Sequence, residues 1–312
     1  MPFTKKAHAF KAAINEVTLG TGDRAVTFGG ANTFPFYSFD AEAKHKPIIG
    51  AEISDMGYEE ETEGYKAFYG TADVVERAKK AAAMDEVAFI CLHFAAADPF
   101  GANKSTEDCI AEAKAVAEAI DKPIVVMGCK NIDKDTELFT KISEALAGKN
   151  IVVMSAREED YKAIGASAGL AYGQKVSAES AVDINLAKQL NVLLMQLGVN
   201  AKNMVMNLGS AAAGYGYEYV ASTMDRVRAA ALGQNDTQLQ MPVITPVSTE
   251  TWAVKESIAE EADMPEWGAR EERGVDMEVV TAAACLAAGS DAVILRHPES
   301  IRTIYAMIDS LC

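Results

Sequence analysis

Eight short apolar runs, each separated from the next by a stretch with helical spacing, constrain this chain more than any other feature. The runs cover residues 47–53, 87–94, 123–127, 151–154, 175–178, 204–206, 242–245 and 292–295, and they are enriched in Val and Ile. Between them, apolar residues recur at helical intervals, as in Cys109, Ile110, Ala113, Val116, Ala117 and Ile120, or Leu186, Leu190, Leu193, Leu194 and Leu197. Helix starts agree with this reading. Ser105-Thr106-Glu107-Asp108 offers an N-cap and an acidic first turn, and Pro298 suits a first helical position. A strand that is apolar on both faces needs cover on both, which a parallel sheet flanked by helices supplies. Eight such units predict an α/β fold of the TIM (β/α)8 barrel type. The rival is a doubly wound open sheet, and eight repeats without a topological break favour closure.

The N-terminal part, 1–46, departs from this rhythm, and it is assigned to the same domain as the barrel at 47–312. Segments 16–20 and 24–28 read as two short strands around Thr21-Gly22-Asp23, a hairpin. An aromatic arm follows, Asn32-Thr33-Phe34-Pro35-Phe36-Tyr37-Ser38-Phe39, suited either to plugging the barrel floor or to docking another subunit. After the seventh run the connection 248–274 is much longer than the others and carries Trp252, Pro265 and Trp267. An extra helix over 251–262 and a loop across the rim are expected there.

Composition excludes several classes of function. A net charge of −16 with no Lys/Arg cluster argues against a nucleic-acid partner. The five cysteines, Cys91, Cys109, Cys129, Cys285 and Cys312, lie far apart with no C-x-x-C pair, so neither a zinc site nor an iron–sulfur cluster is expected within this chain. Cys91 and Cys129 are expected to be buried strand residues. Free thiols in odd number, no signal peptide and no apolar run long enough to span a bilayer indicate a reducing cytoplasm.

In a TIM barrel the chemistry sits where strands end. The residues there are Ser54 and Asp55; His93 and Asp98; Cys129 and Lys130; Ser155 and Arg157; Ser177 and Glu179; Asn207 and Ser210; Thr245, Ser248 and Glu250; Arg296 and His297. The set lacks the several histidines of a metallohydrolase and the strand lysine of a Schiff-base aldolase. Asp98-Pro99-Phe100-Gly101 reads as a turn, Arg296 as the partner of a carboxylate across the rim, and His297 before Pro298 as a helix cap. Asn207 has less structural reason to be where it is. It opens a loop carrying Gly209, Gly214 and Gly216 that matches neither the dinucleotide fingerprint nor the P-loop, and whose Tyr215 and Tyr217 project outward.

Six separated segments carry a resemblance to a known family: Asp98-Pro99-Phe100-Gly101-Ala102-Asn103; Asp183 to Asn191 (DINLAKQLN); Gly214-Tyr215-Gly216-Tyr217-Glu218-Tyr219; Trp252 with Lys255-Glu256; Trp267-Gly268; and Arg296-His297-Pro298-Glu299. Over essentially its whole length the chain resembles the corrinoid/iron–sulfur protein small subunit, the delta subunit of acetyl-CoA synthase/decarbonylase systems. The resemblance implies a barrel related to the pterin-dependent methyltransferases, in a heterodimer with a large subunit. That large subunit carries the one [4Fe-4S] cluster and a corrinoid (cobalamin) domain. The heterodimer takes a methyl group from methyltetrahydrofolate by way of a separate methyltransferase and gives it to acetyl-CoA synthase in the reductive acetyl-CoA (Wood–Ljungdahl) pathway. No catalytic or metal-ligating residue is assigned to this chain.

A corrinoid is larger than the pockets of roughly 300–1,000 Å³ that enclose drug-sized ligands, so a sandwich of two proteins is a reasonable way to cover it. The barrel rim is therefore expected to cap the corrinoid, with Asn207, Gly209, Ser210, Tyr215, Thr245, Ser248 and Glu250 near it. The alternative is a stand-alone barrel methyltransferase that binds a pterin on its own rim, for which Asn207 and Asp98 speak. The plain Ala95-Ala96-Ala97 and Ala211-Ala212-Ala213 stretches speak against it.

Overall fold

The computed structural model describes residues 9–36 and 43–312. Alternation builds its first unit: in β1 (Glu16–Leu19) Val17 and Leu19 are buried while Thr18 faces solvent. This strand pairs antiparallel with β2 (Val26–Gly29), Val17 opposite Phe28, which is the expected hairpin.

Each of the eight apolar runs then forms a strand: β3 (Ile48–Ser54), β4 (Phe89–His93), β5 (Ile124–Met127), β6 (Val152–Ala156), β7 (Lys175–Glu179), β8 (Met204–Asn207), β9 (Ile244–Pro246) and β10 (Ala292–Leu295). They pair in parallel in the order β8-β7-β6-β5-β4-β3-β10-β9. A parallel bridge between Met206 and Val243, with Met206 N donating to Pro242 O at 2.8 Å, joins the two ends. The sheet is thus a barrel ringed by helices, and the open doubly wound alternative is set aside.

The two parities of each strand build two cores. One faces the surrounding helices. The other fills the lumen with Phe89 and Cys91 of β4, Val125 and Met127 of β5, Val152 and Met154 of β6, Val205 of β8, Ile244 of β9, and Ala292 and Ile294 of β10. Val17, Leu19 and Phe28 of the hairpin belong to this inner cluster, so the hairpin plugs the barrel floor. Asn150, just before β6, fixes it there by donating from Nδ2 to Thr18 O (2.9 Å) and Gly20 O (2.8 Å). Lumen space is tight: a Cβ at Gly50 would overlap the Phe89 ring, so only glycine fits that layer. Of the aromatic arm, Phe34 meets Phe10 edge-on at 5.3 Å and Phe36 lies against the outer core. Residues 37–39 fall outside the described residues.

Two expectations are corrected. The helix predicted over 251–262 is instead two single turns, Ser248–Thr251 and Lys255–Ile258, followed by extended backbone at Ala259. Thr251 bonds back to Val247 O (3.0 Å), and Trp252 is drawn down to stack 5.9 Å from the His297 ring, which stops the helix. The long helix of this region starts later, at Arg270–Ala288. Cys91 is a buried strand residue as expected, but Cys129 lies half-buried beyond the end of β5. There Asp135 Oδ1 accepts from its backbone N (2.8 Å) and turns the chain out of the sheet. Among the described residues no helix is long and apolar enough to cross a membrane.

Candidate functional site

The parity that points Val205 into the lumen also points Asn207 there, one layer higher, and the same holds for Ser177 and Glu179 on β7, His93 on β4, Glu52 on β3 and Pro246 on β9. A register irregularity in β6 between Val153 and Ala156 lets Ser155 join them beside Met154. Polar groups therefore close the mouth of an apolar barrel, in two clusters.

One cluster surrounds Asn207, which is 5% exposed. Its Nδ2 donates to Ser155 Oγ (3.1 Å) and Glu179 Oε2 (3.3 Å), and its Oδ1 accepts from Gly209 N (3.1 Å). Both amide hydrogens are committed, and one acceptor lone pair is left. Gly209 holds φ +88°, the left-handed region, which bends the chain away from the mouth just after Asn207. Glu179 also meets Arg157 Nε at 3.4 Å, and Arg157 Nη1 donates to Lys130 O (3.1 Å). Lys130 in turn pairs with Glu250 at 3.0 Å, tying the short helix Ser248–Thr251 across the opening. These side chains line a cavity of about 50 Å³ together with Ser210, whose buried Oγ has no hydrogen-bond partner among the described residues. Burial raises the carboxyls behind the slot. Asp160, despite accepting from Arg157 N (2.6 Å), is pushed up to about 6, and Asp135 shifts in the same direction.

The second cluster is centred on Glu52, 0% exposed on β3. It accepts from Arg296 Nε (3.1 Å) and Nη2 (3.2 Å) and meets His93 Nδ1 at 2.6 Å. Burial alone would raise its carboxyl, but the Arg296 charge and the His93 contact reverse this and hold it well below the usual carboxylate range. Arg296 also reaches Glu61 at 3.4 Å. The expected carboxylate partner of Arg296 is therefore present, and His297 is the cap of helix Pro298–Leu311, accepting from Glu299 N at 3.2 Å. Asp98 likewise forms its turn, accepting from Phe100 N at 3.0 Å.

Asn207, Gly209, Ser210 and Glu250 thus share one slot. Three other candidates do not reach it. Thr245 lies between the inward Ile244 and Pro246, so its side chain points out to the helix layer, where its hydroxyl bonds Ser290 Oγ. Ser248 is fully buried at the start of its helix, its Oγ without a hydrogen-bond partner among the described residues, and its neighbours Thr249 and Glu250 line the slot instead. Tyr215 stands on the outer lip, 49% exposed, its hydroxyl 2.5 Å from Glu256. Sequence reasoning missed Glu52 because it looked beyond the strands. A carboxylate inside an otherwise apolar run was the available signal.

A family model described as the CO dehydrogenase/acetyl-CoA synthase delta subunit matches residues 16–305, the hairpin and all eight barrel strands. The chain belongs to this family. Among relatives named as delta subunits of the acetyl-CoA decarbonylase/synthase complex, that of Archaeoglobus fulgidus is 29% identical, with 97% of this chain and 69% of the relative covered. Delta subunit 2 of Methanosarcina acetivorans is 30% identical, with 93% and 69% covered. Solved structures that share the delta-subunit architecture include dihydropteroate synthase from Thermus thermophilus in complex with 6HMPPP (TM-score 0.55, 16% identity, 95% of this chain and 100% of that one). The Coxiella burnetii enzyme with pteroic acid is comparable (TM-score 0.55, 9% identity, 95% and 98%). At these identities the likeness shows the TIM-barrel fold.

Proposed function

We propose that this chain is the small subunit of a heterodimeric corrinoid/iron–sulfur methyl carrier, and that its barrel mouth caps a corrinoid held mainly by a larger subunit. The single observation that carries the reading is the delta-subunit match over residues 16–305. The large subunit holds the [4Fe-4S] cluster. A separate methyltransferase passes the methyl group from methyltetrahydrofolate, and acetyl-CoA synthase receives it.

The residues at the mouth fit this role. A cavity of about 50 Å³ is far below the roughly 300–1,000 Å³ that encloses a drug-sized molecule, so a large flat ligand lies across the opening and only its projections enter. The unpartnered Ser210 Oγ and the spare lone pair of Asn207 Oδ1 suit the amide groups on a corrinoid periphery. When bound, the corrinoid supplies the cobalt that carries the methyl group. The chain's own part is to orient and to exclude water. Asn207, Gly209 and Ser210 face the ligand, and Glu250, braced by Lys130, holds the edge. The ionised groups at the mouth are paired with one another, Glu52 with Arg296 and Glu179 with Arg157, which suits a cap better than an acid–base catalyst.

Co-expression with the large subunit, followed by gel filtration and a visible spectrum, tests the proposal. An equimolar complex containing cobalt and iron is expected, with Ser210→Val and Asn207→Leu weakening corrinoid retention about tenfold while the heterodimer persists. The buried Asn207 amide beside Glu179 favours a second reading, in which this chain binds a pterin itself. Tight binding of methyltetrahydrofolate by the isolated chain would establish that reading and overturn the carrier one.

A further inference from the structure

The helix Arg270–Ala288 buries Gly274, Glu278, Thr281, Ala282, Cys285 and Leu286 against the barrel. Its opposite ridge, Arg273, Asp276, Met277 and Val280, follows i, i+3, i+4, i+7 spacing and forms the floor of a trough of about 500 Å³. Val280 is 55% exposed there, although nothing in the barrel requires an apolar side chain at that place. Trp267 makes one wall, 36% exposed, with Lys255 Nζ 5.3 Å and the Arg273 guanidinium 5.7 Å from its ring centroid. The other walls are anchored: Ala213 N donates to Thr281 Oγ1 (3.0 Å), and the Tyr215 hydroxyl meets Glu256 at 2.5 Å. The trough is therefore already formed, and exposed aromatic and aliphatic side chains so grouped mark an interaction surface.

Charge decides what fits it. Lys255 and Arg273 are turned onto the Trp267 ring, while Asp276 in the trough lining and its flanking neighbours Glu266 and Glu272 are exposed and have no ion pair among the described residues, so carboxylates outnumber the cations there. The trough has the volume of a small-molecule pocket but lies open to solvent, so it would leave much of such a ligand in water. The barrel strands pair with one another around the closure, so among the described residues no barrel strand offers a free edge for strand addition beside the trough. We infer that this trough docks an amphipathic helix of a partner protein, with apolar side chains seated on Trp267, Met277 and Val280 and Lys or Arg side chains against Glu266, Glu272 and Asp276. The inference does not rest on what the barrel mouth binds: Met277 and Val280 stand on the outer face of a peripheral helix, and the trough borders the rim loop at Ala213.

The test uses the full chain and two synthetic amphipathic helices of one pattern, Leu with Lys and Leu with Glu, read by Trp fluorescence. The Leu/Lys helix is expected to give a saturable change, at least about tenfold weaker with Val280→Lys and for the Leu/Glu helix. It is expected to be unaffected by Tyr305→Lys, the same charge change at an exposed site on helix Pro298–Leu311. No saturable change, equal binding of the two helices, or equal loss in both Lys variants would overturn the inference.

Discussion

Two carboxyls in the upper part of the barrel are equally buried and are driven in opposite directions. Glu52 faces the Arg296 guanidinium and stays ionised. Glu278, from the long helix, faces neutral dipoles among the described residues, chiefly the backbone N–H groups of Arg296 (2.6 Å) and His297 (3.1 Å), and burial pushes it up to about 7. A carboxyl raised on folding keeps its proton in the folded state after the unfolded chain has lost it. Stability therefore falls as pH climbs from the unfolded value near 4.5 to about 7, and stays at the lower level above it. Glu278→Gln removes this dependence without changing size. Chemical denaturation of both proteins from pH 5 to pH 8 should show the variant gaining on the wild type by on the order of 2–3 kcal/mol across that range. Parallel pH profiles would contradict the account. The neighbouring His297, whose imidazole is lowered by burial, contributes equally to both proteins and cancels in the difference.

Among the elements, the hairpin is the least like the rest and the most exposed to a simple test. Phe28 is fully buried where β1 and β2 close the lumen, so Phe28→Ala leaves a cavity under the inner layer and should cost about 3–5 kcal/mol in denaturant unfolding. A loss below about 1 kcal/mol would mean that the hairpin is not the floor. The strands were legible in the sequence because both of their faces are apolar, and the hairpin because Val17 and Leu19 alternate with Glu16 and Thr18. Parity within each strand was harder to read. Thr245 sits at a strand end but on the outward side, while Glu52 lies inside an apolar run and faces in. The insertion was misread because a helical pattern carries no trace of Trp252 being pulled onto His297, a contact between residues far apart in the chain. Asn207, Gly209, Ser210 and Glu250, which line one slot, were singled out from their position after strands. Their bonds to Ser155, Glu179 and Lys130 come from three other strand ends that only the closed barrel brings together.

At the scale of the whole molecule, a closed barrel plugged at one end presents its polar mouth at the other, and that mouth is narrow, internally paired and ringed by a glycine-bearing loop and a short helix. A surface of this kind covers a ligand better than it swallows one. The most direct measurement of the central claim is hydrogen–deuterium exchange of this chain within the proposed complex with a corrinoid-bearing subunit, prepared with and without the corrinoid. Segments 208–213 and 247–251 should exchange more slowly when the corrinoid is present, while the hairpin at 16–29 is unchanged. Equal exchange of both rim segments in the two preparations would contradict the capping role.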